Sequence, residues 1–177
     1  LVEDAVNGLG GLDILVNNAA RQQAHQSIME ITTEEFDWTL RTNLYALFWI
    51  TRAAIPHLRP GSTILNTTSI VAFDPSRQLL DYSMTKAAIL NFTWCLAKQL
   101  ATQGIRVNAV APGPVWTPLQ PSGGQTQEHL TEFGADTPLG RPGQPAEIAP
   151  LFVLLAAAES SYSTGQVFGA TGGEAGP

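Results

Sequence analysis

Tyr82 and Lys86 stand four residues apart in a stretch of good helix formers. On a helix that spacing puts both side chains on one face, with their polar ends able to share a site. An ammonium close to a phenol favours the phenolate, so Lys86 is expected to bring Tyr82 down from about 10 toward the range useful for acid/base work. Taken alone, Tyr-x-x-x-Lys also describes a solvated helix face, and its company decides the matter. Ser69 follows an apolar run that reads as a strand, and its hydroxyl can donate to the same oxygen that Tyr82 would protonate. Two donors on one oxygen suit a carbonyl becoming an alcohol. Asn43 lies inside a helical pattern, where asparagine competes with the backbone for hydrogen bonds. It is expected to hold a water that extends a proton path from Lys86, or else to be a polar residue on an exposed face.

For these groups to meet, the elements carrying them must converge. Residues 12–16 form a short apolar run closing at Asn17-Asn18, residues 62–66 a second run closing at Thr67-Thr68-Ser69, and residues 105–110 a third closing at Pro112-Gly113. Residues 165–168 read as a last strand. Thr32 and Glu35 have capping-box spacing, and a helical pattern follows through Phe36, Leu40, Leu44, Leu47 and Ile50 to the stop at Pro60-Gly61. A second helix is expected over 80–101, and a third from Pro145, with Pro150 straining its early turns. Between them, residues 114–144 are long for a connection and rich in Gly, Pro, Ser and Thr, which implies either disorder or a functional lid. Strands alternating with helices imply an α/β fold with right-handed crossovers, a parallel sheet and helices on its faces. Asn17-Asn18, Ser69 and Pro112-Gly113 then share the carboxyl edge of the sheet, where open α/β sheets bind ligands.

The 177 residues suit one domain, 1–177, with 44% apolar and 14% charged residues and no repeat. A net charge of −6 without a Lys/Arg cluster argues against nucleic acid as a partner. No apolar run has the length to cross a bilayer, so no membrane partner is expected. The lone Cys95 forms no internal disulfide, which suits the cytoplasm, and its apolar neighbours suggest a buried packing role. His25, His57 and His129 are scattered without ligand spacing, so no metal is implied.

The segments Asn17-Asn18-Ala19-Ala20, Asn43-Leu44, Ser69, Tyr82-Ser83-Met84-Thr85-Lys86 and Arg106-Val107-Asn108-Ala109-Val110-Ala111-Pro112-Gly113 resemble, in order and spacing, the short-chain dehydrogenase/reductase family over essentially the whole chain. Leu80-Asp81-Tyr82-Ser83 and Gly113-Pro114-Val115-Trp116-Thr117-Pro118 are similar to bacterial members labelled aldehyde reductases or glucose dehydrogenases. The resemblance implies a Rossmann-like doubly wound parallel sheet with helices on both faces, and NAD or NADP as cofactor. It makes Tyr82 the general acid/base, Lys86 its partner and the ligand of the nicotinamide ribose, Ser69 the second donor and Asn43 the water-holding relay. Pro112, Gly113 and Val115 would lie against the nicotinamide and Thr117 near its carboxamide or the pyrophosphate. Asn17 would brace the strand edges beside the cofactor, and Ala19 and Ala20 would pass the adenosine. The implied partner is a small carbonyl or alcohol substrate touching Ser69 and Tyr82. Trp116 would line its pocket or else pin the lid to the core. A homodimer or homotetramer is also implied, with the two long helices against their mates.

Two departures bear on these expectations. Ala20 stands where the family has glycine, which narrows backbone approach to the cofactor. The family's opening strand, glycine-rich turn and helix, the first βαβ segment, have no counterpart before residue 12, so the sequence reads as beginning partway through a longer protein. The rival expectation is a truncated, non-catalytic relative serving as an interaction or remnant domain.

Overall fold

The reciprocal bonds of a capping box open the first long helix. Thr32 Oγ1 accepts from Glu35 N at 3.1 Å, and Glu35 Oε2 accepts from Thr32 N at 3.3 Å. A computed structural model describes residues 1–174 and 176; the ends of the 1–177 domain at 175 and 177 lie outside the described residues. Helix α1 (Val2–Leu9) leads to strand β1 (Ile14–Asn17). Helix α2 (Thr33–Leu40) runs through a π-helical turn (Arg41–Tyr45) into α3 (Ala46–Ala54). Then come β2 (Thr63–Thr67), α4 (Leu80–Leu100) and β3 (Arg106–Pro112). Two short helices, α5 (Leu119–Ser122) and α6 (Gln127–Glu132), precede α7 (Pro145–Ala156) and β4 (Val167–Ala170). Helix α7 has a second capping box, between Gln144 and Glu147. Residues 114–144 are thus not a disordered connection.

The sheet is parallel in the order β1-β2-β3-β4, with Thr63 paired to both Ile14 and Arg106. Successive strand residues point to opposite faces. Ile64 packs with Val107, Leu96 and Leu100 beneath α4, while its neighbour Leu65 packs with Val110, Ile148 and Leu155 beneath α7. Helices therefore cover both faces, as expected. The strands step in one direction while α4 and α7 lie on opposite faces, so the crossover from β3 to β4 is opposite in hand to that from β2 to β3. The expectation of right-handed crossovers throughout is corrected here. That rule rests on a short connection folding directly back onto the sheet. Residues 113–144 instead carry the chain across the carboxyl edge before α7 begins.

Two side chains of β3 secure this return. The Arg106 guanidinium donates to Leu155 O at 2.7 Å and Ala157 O at 3.2 Å, closing the carboxyl end of α7. Asn108 Nδ2 donates to Ser163 O at 2.7 Å, and its Oδ1 accepts from Gln166 N at 3.0 Å, which sets the entry to β4. The Arg-Val-Asn run is thus a fastening built into the sheet. Cys95, expected in the core, is exposed beside Trp94, because the inward positions of α4 there are Thr93, Leu96 and Ala97.

Candidate active site

A cleft of about 670 Å³ opens at the carboxyl edge of the sheet. It brings together Ala19 and Ala20 after β1, Ser69 after β2, Tyr82 and Lys86 on α4, Pro112 at the end of β3, and Gly113, Val115 and Thr117 beyond it. Asn17, Asn43 and Trp116 do not line it. Asn18 and Gln120 do, as do Ile148 and Phe152 on α7. Nothing in the sequence singled out Gln120, Ile148 or Phe152; they reach the cleft through the path of the segment after β3 and the packing of α7.

The turn carrying Tyr82 and Lys86 is fixed from several sides. Thr85 Oγ1 donates to Tyr82 O at 2.7 Å, and Thr68 Oγ1 donates to Lys86 O at 2.8 Å, tying α4 to the end of β2. Lys86 is 2% exposed; its Nζ donates to Thr67 O at 2.8 Å and lies 5.4 Å from the Tyr82 ring centroid. Burial lowers the Lys86 ammonium to about 8. Burial also pushes the Tyr82 phenol up to about 12, against the lowering influence of the Ser69 side chain. The expected downward shift from Lys86 is therefore corrected: the ammonium is turned to a backbone carbonyl, and desolvation of the phenolate outweighs what lowers it.

Asn43 sits within the π-helical turn and is 1% exposed. Its Nδ2 donates to Arg21 O at 2.9 Å and Thr85 Oγ1 at 3.0 Å, and its Oδ1 accepts from Arg21 N at 2.8 Å. Both amide protons are taken by protein, so the side chain ties the loop after β1 to the Tyr82–Lys86 turn rather than donating to a relay water. The extra residue of a π turn rotates a side chain that a regular helix would direct elsewhere. Asn17 likewise turns from the cleft: Nδ2 donates to Asn66 Oδ1 at 2.9 Å and Thr51 Oγ1 at 3.0 Å, bridging β1, β2 and α3.

The segment after β3 is clipped at its base, where Trp116 N donates to Gly143 O at 2.9 Å and Gly143 N to Pro114 O at 2.8 Å. The Trp116 ring meets Phe133 with centroids 6.0 Å apart, so Trp116 pins this segment together. Gly113 answers a close approach: a Cβ there would stand 2.8 Å from Thr171 Cα. Among the described residues no group of three or more His, Cys, Asp or Glu side chains is placed to hold a metal ion, and no helix is long and apolar enough to cross a membrane.

A family model described as Enoyl-(Acyl carrier protein) reductase matches residues 1–174. The chain is 55% identical to the uncharacterized oxidoreductase YghA of Escherichia coli, over 98% of this chain and 59% of that protein. It is 49% identical to the glucose and ribitol dehydrogenase of Daucus carota, again over 98% of this chain and 59% of the relative. The fold superposes with a TM-score of 0.88 on a short-chain dehydrogenase from Burkholderia cenocepacia solved in complex with NADP, 30% identical, covering 97% of this chain and 69% of the other. The chain thus spans about three fifths of the curated relatives' length.

Proposed function

Because the chain belongs to the short-chain dehydrogenase/reductase family, we propose that it carries the catalytic groups of an NAD(P)-dependent oxidoreductase interconverting a carbonyl and an alcohol. One observation carries the reading: a phenol, an ammonium and a serine hydroxyl, on α4 and at the end of β2, face one cleft and are otherwise buried. The residues present fit the nicotinamide and its ribose. An ammonium has three N–H donors and Lys86 gives one to Thr67 O, leaving donors for a ribose diol. Ala20, Pro112 and Val115 supply an apolar wall for a flat ring. Thr117 stands at the same wall for the carboxamide or pyrophosphate.

The dihydronicotinamide would supply the hydride to the carbonyl carbon. Tyr82, with its proton held by burial at neutral pH, donates that proton to the carbonyl oxygen, and Ser69 donates a hydrogen bond to the same oxygen. The high phenol pKa suits reduction, in which Tyr82 acts as acid. Lys86 holds the ribose, and Asn43 acts as a positioning residue for the turn that bears both. Residues 114–144 act as the substrate lid. Supplied with NADH or NADPH and a panel of aldehydes and ketones, the protein is expected to form alcohol in step with cofactor oxidation. Failure to bind either cofactor and to form any alcohol would overturn the reading and favour a non-catalytic relative.

The family's dimer or tetramer is part of the proposal, as is a cytoplasmic location, which suits the exposed, unpaired Cys95. Phe48, Trp49 and Trp94 on the outer sides of α3 and α4 are 48%, 55% and 41% exposed, a larger aromatic surface than a solvated helix face normally shows. Trp49→Glu is expected to lower the sedimentation coefficient of the assembly; an unchanged value would remove these helices from the interface.

A further inference from the structure

Three glutamines, of which Gln120 lines the cleft, meet from two connections distant in sequence. Gln22 follows β1, and Gln120 and Gln125 belong to the segment after β3. Gln22 is 5% and Gln120 9% exposed, and Gln120 lines the cleft that holds Tyr82. The meeting needs close backbone approach: Ala24 N donates to Gly123 O at 2.8 Å, and a Cβ on Gly123 would stand 2.8 Å from Gln22 Nε2.

The amides are poorly served by one another. Gln120 Oε1 accepts from Gln22 Nε2 at 3.3 Å and from Gln125 Nε2 at 3.2 Å, while Gln120 Nε2 reaches Val115 O at 3.4 Å. These are long beside the usual ~2.9 Å. Each primary amide has two N–H donors, and these bonds use one apiece. Gln125 Oε1 is buried without a partner among the described residues. Burying amides on weak bonds is costly unless a ligand completes them.

We infer that Gln120, held in place by Gln22 and Gln125, recognises the hydroxyl-bearing part of a neutral polyhydroxy carbonyl substrate, or of the matching polyol, in the cleft. Gln120 Nε2 gives one of its two N–H donors to Val115 O, so a substrate hydroxyl in the cleft can accept from the other. An apolar aldehyde would leave that donor unpaired, and sites built for a hydroxyl reject analogues that lack it. An anionic substrate fits poorly, because among the described residues Lys86 is the only cation lining the cleft.

For its reacting end the inference rests on the oxidoreductase reading, but the subsite is tested separately. Ribitol and 1-pentanol, of equal carbon number, are titrated into the protein labelled with nitrogen-15, following the glutamine side-chain amides by NMR. Ribitol is expected to shift the Gln22 and Gln120 signals, and 1-pentanol to leave them in place. Gln120→Leu is expected to weaken ribitol binding at least about tenfold, and Gln120→Glu, which keeps an acceptor of the same size but loses the N–H donors, to restore little of it. Gln22→Leu carries the same expectation should the first variant fail to fold. In turnover, the preference for glyceraldehyde over propanal is expected to fall about tenfold in Gln120→Leu. Equal shifts by both alcohols, or wild-type ribitol affinity in the leucine variants, would overturn the inference. Ribitol binding that depends on Gln120 in a protein that reduces no carbonyl would support the subsite and overturn the oxidoreductase reading.

Discussion

Replacing Tyr82 by phenylalanine is expected to lower carbonyl reduction by roughly a hundredfold to ten-thousandfold, the range for loss of a positioned proton donor, while leaving the fold and cofactor binding intact. The ring keeps its packing against α4 and the Lys86 ammonium, and only the hydroxyl is lost. Its removal also spares the buried phenol from ionising at high pH, which gives a second readout. The folded-state value of about 12 lies above the ordinary 10. The protonated phenol's contribution to stability is therefore complete below pH 10 and is lost as pH rises through the folded value. Between those limits the wild-type protein should lose stability that Tyr82→Phe retains. Cofactor titration and alkaline unfolding of the two proteins check both halves. Turnover within tenfold of wild type would remove Tyr82 from the chemistry.

Replacing Lys86 by methionine is expected to separate activity from stability. The folded-state value of about 8, against the ordinary 10.5, means that carrying this charge in the folded protein costs about 3 kcal/mol at pH 7. The sign follows from the depressed value: the cost is absent above pH 10.5 and complete once pH falls through about 8. Methionine removes the cost but leaves Thr67 O without its donor, so a net gain of up to about 2 kcal/mol at pH 7 is expected. That corresponds to a thermal midpoint higher by up to roughly 8 °C, a gain that shrinks as pH rises from about 8 to 10.5. Reduction should fall at least about a hundredfold, because the ligand proposed for the ribose, and the cation beside the phenol, are lost. A variant less stable than wild type at pH 7 would mean that the Thr67 bond outweighs desolvation. Such strain between stability and function is usual where a charge is buried for a task.

These two residues, with Ser69, were legible because their signals are local. A four-residue spacing fixes a shared helix face whatever surrounds it, and a hydroxyl closing an apolar run falls at a strand end by the geometry of the strand. The same reasoning placed the Thr32–Glu35 cap, the four strands, and the edge to which Ala19, Ala20, Pro112 and Gly113 come. It had less purchase on Asn43 and Asn17. Their amides point according to a π turn and a cross-strand bridge, and neither feature has a periodicity to read.

What the sequence by itself determined, then, is the order of the elements, the parallel sheet and which residues reach its carboxyl edge, since each follows from hydrophobic period and turn chemistry along short stretches. Tertiary structure alone decided the rest. The direction of the Tyr82 and Lys86 shifts came from desolvation by neighbours far along the chain, the reversed hand of the last crossover from the path of residues 113–144, and the glutamine cluster from the contact of two connections 98 residues apart. Each is set by groups brought together through space, and spacing along the chain carries no measure of that.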